Sequence, residues 1–404
     1  MSFSALEKKS LFFISLLYIF RLSGNFLILP LFEPYSRSLS EESSTVLIGL
    51  ALGIFGFGQA MMQLPLGWLS DRVGRKRIII FCLSIFSVAT YGCFIAKTIG
   101  ELAIARLFQG LCAYSSVLSA LMADYTQPKN LTKASAIVGV VIGITLIASF
   151  SASPMIARYT GIRNIFLIII FLSFLSLMVT ALFLPPEPPM KDFAKKPSFN
   201  LSVGMFHKTP CLWLVTFSFM TLHAVLSACW MVFPSALSGL GYPLEQQGHV
   251  YGSVMISSFI VMATLIGLAE KVQSKRLAIA GGFVLMCIGQ TILFFAIHKK
   301  LLFIIAMAIF FSGFNLLEAY LPATMARLAP QKIRGTAMGI SSTAQFMGIF
   351  MGGVLSGIII RYLPSRKTIF FINALVCLVF SWIIWLKWTT CSKQTEEINR
   401  GINE

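Results

Sequence analysis

Four ionisable side chains lie deep inside stretches that are otherwise apolar. Arg21 sits in "YIFRLSGNF" with Asn25 one turn on, and Arg106 and Gln109 share a helix face in "ARLFQG". His223 lies in "TLHAVL", and Glu318 follows Asn315 by three residues in "FNLLEAYLP". Gln59 and Gln345 add two amides in similar surroundings. A charge at the centre of a bilayer costs about 2.5–3.5 kcal/mol on insertion scales, so such groups are kept for a partner or a task. An acid and an imidazole can load and release protons, and guanidinium groups recognise anions. No nucleophile–base pair appears among these positions, so an enzyme is not expected. The four histidines have no ligand spacing, and the eight cysteines (82, 93, 112, 211, 229, 287, 377 and 391) form no CxxC pair. Neither a metal site nor a disulfide frame is expected.

Two readings of Glu318 stay open. In one it is structural and neutralises Arg21 or Arg106 as an ion pair. In the other, Glu318 and His223 titrate within a solute cavity, because desolvation and nearby arginines pull a carboxylate in opposite directions. A salt bridge that breaks on protonation would serve both. With Glu318 protonated, Arg21 and Arg106 would leave the cavity positive and favour an anionic or zwitterionic solute.

The elements that must carry these residues follow from composition. Of 404 residues, 57% are hydrophobic and only 12% charged, which is outside the range of soluble domains. Apolar runs long enough to cross a bilayer recur at roughly 11–32, 46–68, 78–97, 101–124, 134–157, 164–184, 212–236, 250–269, 277–297, 301–325, 335–360 and 368–388. Backbone groups in lipid must be satisfied within the segment, so the runs are helices. The first run lacks a small-residue cleavage site and is expected to be retained. The fold class is all-α integral membrane, with 12 transmembrane helices.

The net charge of +17 would suggest nucleic acid in a soluble protein. Here Lys and Arg gather in alternate loops, at Lys8 and Lys9, Arg72 to Arg77, Lys191 to Lys208, Lys271 to Arg276 and Arg327 to Arg334. That asymmetry is the positive-inside pattern and places both termini in the cytoplasm; nucleic acid is not an expected partner.

A polar stretch rich in proline and lysine, "LPPEPPMKDFAKKPSFNLSVGMFHKTP", divides the segments six and six. The predicted organisation is an N-terminal six-helix bundle over 1–184, a cytoplasmic linker over 185–210, a C-terminal six-helix bundle over 211–390 and a cytoplasmic tail over 391–404. Internal duplication supports it. "DRVGRKR" at 71–77 matches "EKVQSKR" at 270–276, and "MADYTQPKNLTKA" at 122–134 matches "MARLAPQKIRGTA" at 325–337, in the same order. Two pseudo-symmetric halves place a cavity near the bilayer midplane. Glycine-rich stretches at 49–58 and 348–357 allow close helix contact or hinge motion. In "SFSASP" a proline kinks a helix, and the neighbouring serines are placed to satisfy the carbonyl it frees.

"GWLSDRVGRKR" at 67–77 resembles motif A of the major facilitator superfamily, Gly-x-x-x-Asp-Arg-x-Gly-Arg-Arg/Lys, in its place between helices 2 and 3. "RLFQG" is similar to motif B of helix 4. Across nearly the whole chain, "FRLSGNFLILP", "IGLALGIFGFGQA", "FNLLEAYLP" and "GTAMGISSTAQFMG" resemble the YajR-type proton-driven exporters of bacteria. The resemblance implies two bundles working by alternating access, a monomer, and no cofactor beyond a proton gradient. It also implies a conformational gate at Gly67, Asp71, Arg72, Gly74, Arg75, Lys76 and Asp124. There Asp71 would accept from the first amides of helix 11, and Arg72 or Arg75 would pair with Asp124 to lock the cytoplasmic side. A cluster serving topology alone would explain the positive charges, but not Asp71 or the two glycines. Those exporters carry a soluble C-terminal domain; this chain ends soon after its twelfth segment, and the domain's contribution is expected to be absent. Antiporters of the superfamily often carry Gly-Pro and several glycines in helix 5, whereas Ser153–Pro154 stands here with Gly139 and Gly143 upstream.

The expected function is transport of a small organic solute across a bacterial inner membrane, by proton-coupled export of a drug, metabolite or siderophore. The alternative is a nutrient or siderophore importer, by proton symport or facilitated diffusion. A sensor built on a transporter scaffold would need an appended signalling domain, and none is visible. The cavity residues on either reading are Arg21, Asn25, Gln59, Arg106, Gln109, His223, Asn315, Glu318 and Gln345.

Overall fold

The computed structural model describes residues 3–39, 44–112, 114–187, 199–272, 274–330, 333–363 and 365–403. Those residues are helical almost throughout and include no strand. Twelve of their helices are long and apolar enough to span a membrane. We number them α1 (Ala5–Ser38), α2 (Thr45–Val73), α3 (Arg75–Ile95), α4 (Ile99–Tyr125), α5 (Lys133–Thr160), α6 (Ile162–Phe183), α7 (Pro210–Gly239), α8 (Leu244–Ala269), α9 (Lys275–Phe295), α10 (Lys300–Leu328), α11 (Arg334–Tyr362) and α12 (Thr368–Cys391). The last continues as helix to Asn403. Linker residues 188–198, with their prolines and lysines, lie outside the described residues.

Local sequence explains where the helices begin and bend. Ser4 and Glu7 form a reciprocal capping box at the start of α1, and Thr98 and Ser274 accept from the third amides of α4 and α9. Pro30 turns α1 through one tight turn at Leu29–Leu31, and Pro234 opens the short second part of α7. Helix α4 comprises Ile99–Leu111 and Ser115–Tyr125. Many large exposed side chains are apolar, among them Phe81, Val88, Phe171, Phe295 and Leu301, as lipid contact requires.

The chain forms two compact units. Unit 1 holds Met1–Asp192 with Phe233–Ser235 and Tyr242–Gly252; unit 2 holds Phe193–Val232, Ala236–Gly241 and Ser253–Glu404. The start of α8 joins unit 1 for a steric reason. A Cβ on Gly248 would stand 2.2 Å from the Ser151 carbonyl oxygen of α5, so the two backbones touch. The Arg158–Glu245 pair beside this contact, 4.0 Å apart and half exposed, adds little.

Within unit 1, α1 packs on α5 and α6, and α3 on α4 and α6. Within unit 2, α7 packs on α11 and α12, and α9 on α10 and α12. Shifted by six helices these are the same pairings, as a duplicated chain requires. The glycine-rich stretches serve close approach: a Cβ on Gly110 of α4 would stand 2.2 Å from Phe55 O of α2, and one on Gly348 of α11 would stand 2.1 Å from Met220 O of α7. The serines near Pro154 act differently from expectation. Ser151 bonds its own helix at Ile147 O, and Ser153 reaches across to Leu27 O of α1 at 2.5 Å. Their hydroxyls thus tie α5 to α1 and to its preceding turn rather than repairing the proline's gap.

Candidate functional site

Unit 1 gathers its polar residues from four helices. Arg21 and Asn25 of α1, Gln59 of α2, Gln109 and Tyr114 of α4, and Ser173 and Ser176 of α6 line one small pocket with the rings of Phe20 and Phe86. Its free space of about 10 Å³ is room for one water. The Arg21 guanidinium lies 5.1 Å from the centre of the Tyr114 ring, where α4 begins its second stretch.

Arg106 is 5% exposed. Its Nη1 donates to Gln109 Oε1 at 2.9 Å, and Gln109 Nε2 in turn donates to Thr90 Oγ1 of α3 at 2.8 Å. The rings of Phe55 and Phe32 lie 4.3 and 5.4 Å from its guanidinium carbon. A charge-assisted hydrogen bond of about 1.5–3 kcal/mol and two ring contacts of about 0.5–2 kcal/mol each match the insertion cost of the charge. Arg106 Nε has no hydrogen-bond partner.

Unit 2 pairs an acid with a base. His223 Nδ1 lies 3.1 Å from Phe219 O, one turn back in α7, and Nε2 lies 2.8 Å from Gln345 Nε2 of α11. Glu318 Oε2 of α10 stands 3.5 Å from the same Nε2, within ion-pair range but without hydrogen-bond geometry. The His223 side chain is 7% exposed and that of Glu318 42%, so one partner is enclosed and the other reachable. Phe314 packs edge-on against the imidazole at 5.7 Å. With Nδ1 carrying its hydrogen toward Phe219 O, a neutral His223 accepts at Nε2 from the Gln345 amide. A proton added at Nε2 makes it a donor, to which Gln345 presents its carbonyl and Glu318 its carboxylate. Asn315, one turn before Glu318, donates to Ser258 Oγ of α8 at 2.9 Å.

The motif-A cluster occupies a helix junction more than a loop, since only Gly74, at φ 106°, separates α2 from α3. Asp71 and Arg72 are therefore the last turn of α2. Arg75 gathers the cluster: it pairs with Asp71, donates from Nε to Asp124 Oδ2 at 3.1 Å, and reaches Ser70 Oγ at 2.6 Å. Arg72 instead lies over the Trp68 ring at 4.0 Å. The Glu187 carboxylate, missed in the sequence, accepts from the backbone amides of Arg75 and Lys76 at the start of α3. Lys76 Nζ donates to Leu184 O at 2.7 Å and Tyr125 to Pro185 O at 2.6 Å, which fixes the first linker residues against the junction. A second missed carboxylate, Glu7, accepts from Gln127 N at 2.9 Å and from the Asn130 amide, tying the start of α1 to the turn after α4.

The chain belongs to the major facilitator superfamily, whose family model matches residues 11–314 and 267–404. It is a multi-pass membrane transporter of small solutes and not an enzyme. It is 30% identical to the inner membrane transport protein YajR of Escherichia coli over 87% of this chain and 77% of that one. It is 24% identical to the class H tetracycline resistance protein of Pasteurella multocida over 84% of this chain and 87% of that one. Among solved structures, a variant of the nucleoside transporter NupG superposes with a TM-score of 0.76 at 15% identity, covering 94% of this chain and 98% of its own.

Proposed function

We propose that the protein exports a small organic solute, a drug, metabolite or siderophore, across a bacterial inner membrane in exchange for protons. The observation that carries this reading is the contact of His223 Nε2 with both Gln345 and Glu318. One nitrogen with two alternative partners gives a proton two states to choose between, and the exposed side of Glu318 gives it an entrance. Similarity to a tetracycline resistance protein supports export. The solute cavity uses Arg21, Asn25, Gln59, Arg106, Gln109, His223, Asn315, Glu318 and Gln345. The gate uses Gly67, Asp71, Arg72, Gly74, Arg75, Lys76 and Asp124, with Arg75 at its centre. Both termini face the cytoplasm, the working unit is a monomer, and the proton gradient is the energy source.

The test is flux in proteoliposomes holding a trapped pH-sensitive dye. Antiport predicts that a solute gradient drives protons in the opposite direction. Protons moving with the solute would make the protein an importer by symport, and solute movement without protons would reduce it to a facilitator.

A further inference from the structure

The two central clusters differ in charge balance. Unit 1 holds two arginines in its interior, and neither makes an ion pair with a described carboxylate of that unit; those carboxylates, Glu7, Glu33, Asp71, Glu101, Asp124, Glu187 and Glu245, all sit at helix ends or in connections. Arg106 is satisfied through Gln109 and two rings but keeps one buried N–H without an acceptor. Arg21 lines the pocket with Tyr114 as its recorded neighbour. Gln59 is 3% exposed, lines the same pocket and makes no side-chain hydrogen bond among the described residues. A buried amide and a guanidinium facing one polar gap, with a second positive charge coupled through Gln109, are a donor set short of an anion.

We propose that the Arg21–Asn25–Gln59 pocket of unit 1 is the subsite for the carboxylate of the transported solute. The proposal rests on the transport reading above and names the substrate class: small organic monocarboxylates with an apolar or aromatic body. The gap admits one oxygen and not a whole solute, so it takes the head group while the body stays outside it. One carboxylate oxygen enters the gap, where the Gln59 amide can donate to it, and the Arg21 guanidinium fork pairs with the head group. Arg106 does not line the pocket and is already engaged by Gln109 and two rings, so Arg21 is the one guanidinium that meets the head group, which favours a monoanionic carboxylate over a phosphonate dianion. The rings of Phe20, Phe86 and Tyr114 suit an apolar body beside the charge.

The test uses the full chain in lipid nanodiscs and follows its thermal unfolding against three probes: benzoate, the neutral isostere benzamide, and phenylphosphonate. Benzoate is expected to raise the melting temperature saturably, benzamide to leave it unmoved, and phenylphosphonate to bind more weakly. Arg21→Gln is expected to weaken benzoate by at least about tenfold, the loss of one charge-assisted hydrogen bond. Gln59→Leu weakens it less, and Gly139→Ala, where an added Cβ meets no atom within 4 Å, leaves it within about twofold. Arg21→Lys, which keeps the charge and loses the fork, gives an intermediate loss and serves should the Gln variant not fold. The absence of a saturable benzoate shift, an equal shift from benzamide, tighter phenylphosphonate, or full benzoate binding by Arg21→Lys or Arg21→Gln would each overturn the assignment. No proton gradient enters this measurement. Benzoate binding with uncoupled transport therefore breaks the proton reading alone, and coupled transport without benzoate binding breaks this one alone.

Discussion

The polar centres of the two units solve the problem of charge in a membrane in opposite ways. Among the described residues, unit 1 pairs neither Arg21 nor Arg106 with a carboxylate of its own; Arg106 bonds the Gln109 amide, and both guanidinium groups lie against aromatic rings. Unit 2 sets Glu318 against His223 and places Gln345 on the same nitrogen. A positive charge held by neutral partners stays positive through a cycle and waits for an anion. An acid facing a base changes charge when a proton arrives. The difference suggests a division of labour, with the first unit reading the solute and the second handling the proton.

The largest expected effect breaks that division at the acid. Glu318→Gln removes the carboxylate that faces His223 and should reduce proton-driven transport by more than tenfold, measured as the initial rate of dye-reported flux. Next comes packing beside the unit 1 cluster. A Cβ on Gly110 would press on Phe55 O at 2.2 Å, so Gly110→Val should destabilise the protein by about 1–3 kcal/mol or more, read as a drop in unfolding temperature in nanodiscs. Gly139 of α5 has no neighbouring atom within 4 Å of an added Cβ, and Gly139→Ala should sit within about 0.5 kcal/mol of the parent by the same measurement.

The helix junction offers a smaller and sharper contrast. Arg75 bonds Asp71, Asp124 and Ser70, whereas Arg72 lies on Trp68. Arg75→Ala should cost about 1–3 kcal/mol of stability and slow transport, while Arg72→Ala should cost less than about 1 kcal/mol. Glu187→Gln leaves an oxygen for one of the two amides it holds. It should shift unfolding least of the carboxylate changes while loosening the linker, seen as faster proteolysis after Leu184.

How much of this was legible in the sequence depends on whether a contact is local. The twelve helices follow from apolar length, because lipid leaves the backbone no other solution. The Arg106–Gln109 bond follows from their spacing on one helix. The contact of His223 with Gln345 joins positions 122 residues apart, and only the packing of α7 on α11 creates it. Asn315 and Glu318 share a face by spacing yet part company, to Ser258 and to His223, because different helices flank the two positions. Glu187 was hidden by the prolines around it, which read as linker. Glu7 was visible in principle, since Ser4 and Glu7 have the capping-box spacing, but its grip on Asn130 is tertiary. The break in α4 after Leu111 has no proline to announce it, and Gly110 just before it reads equally well as a packing glycine, which it also is.

The central claim, that unit 2 carries the proton and unit 1 the solute, is tested most directly by comparing two modes of transport in Glu318→Gln. Solute exchange across proteoliposomes without a gradient needs only recognition and the conformational cycle; accumulation driven by a pH gradient also needs the proton site. Glu318→Gln should keep exchange near the parental rate and lose driven accumulation. Driven accumulation at the parental level in Glu318→Gln would contradict it and leave Glu318 a structural partner of His223.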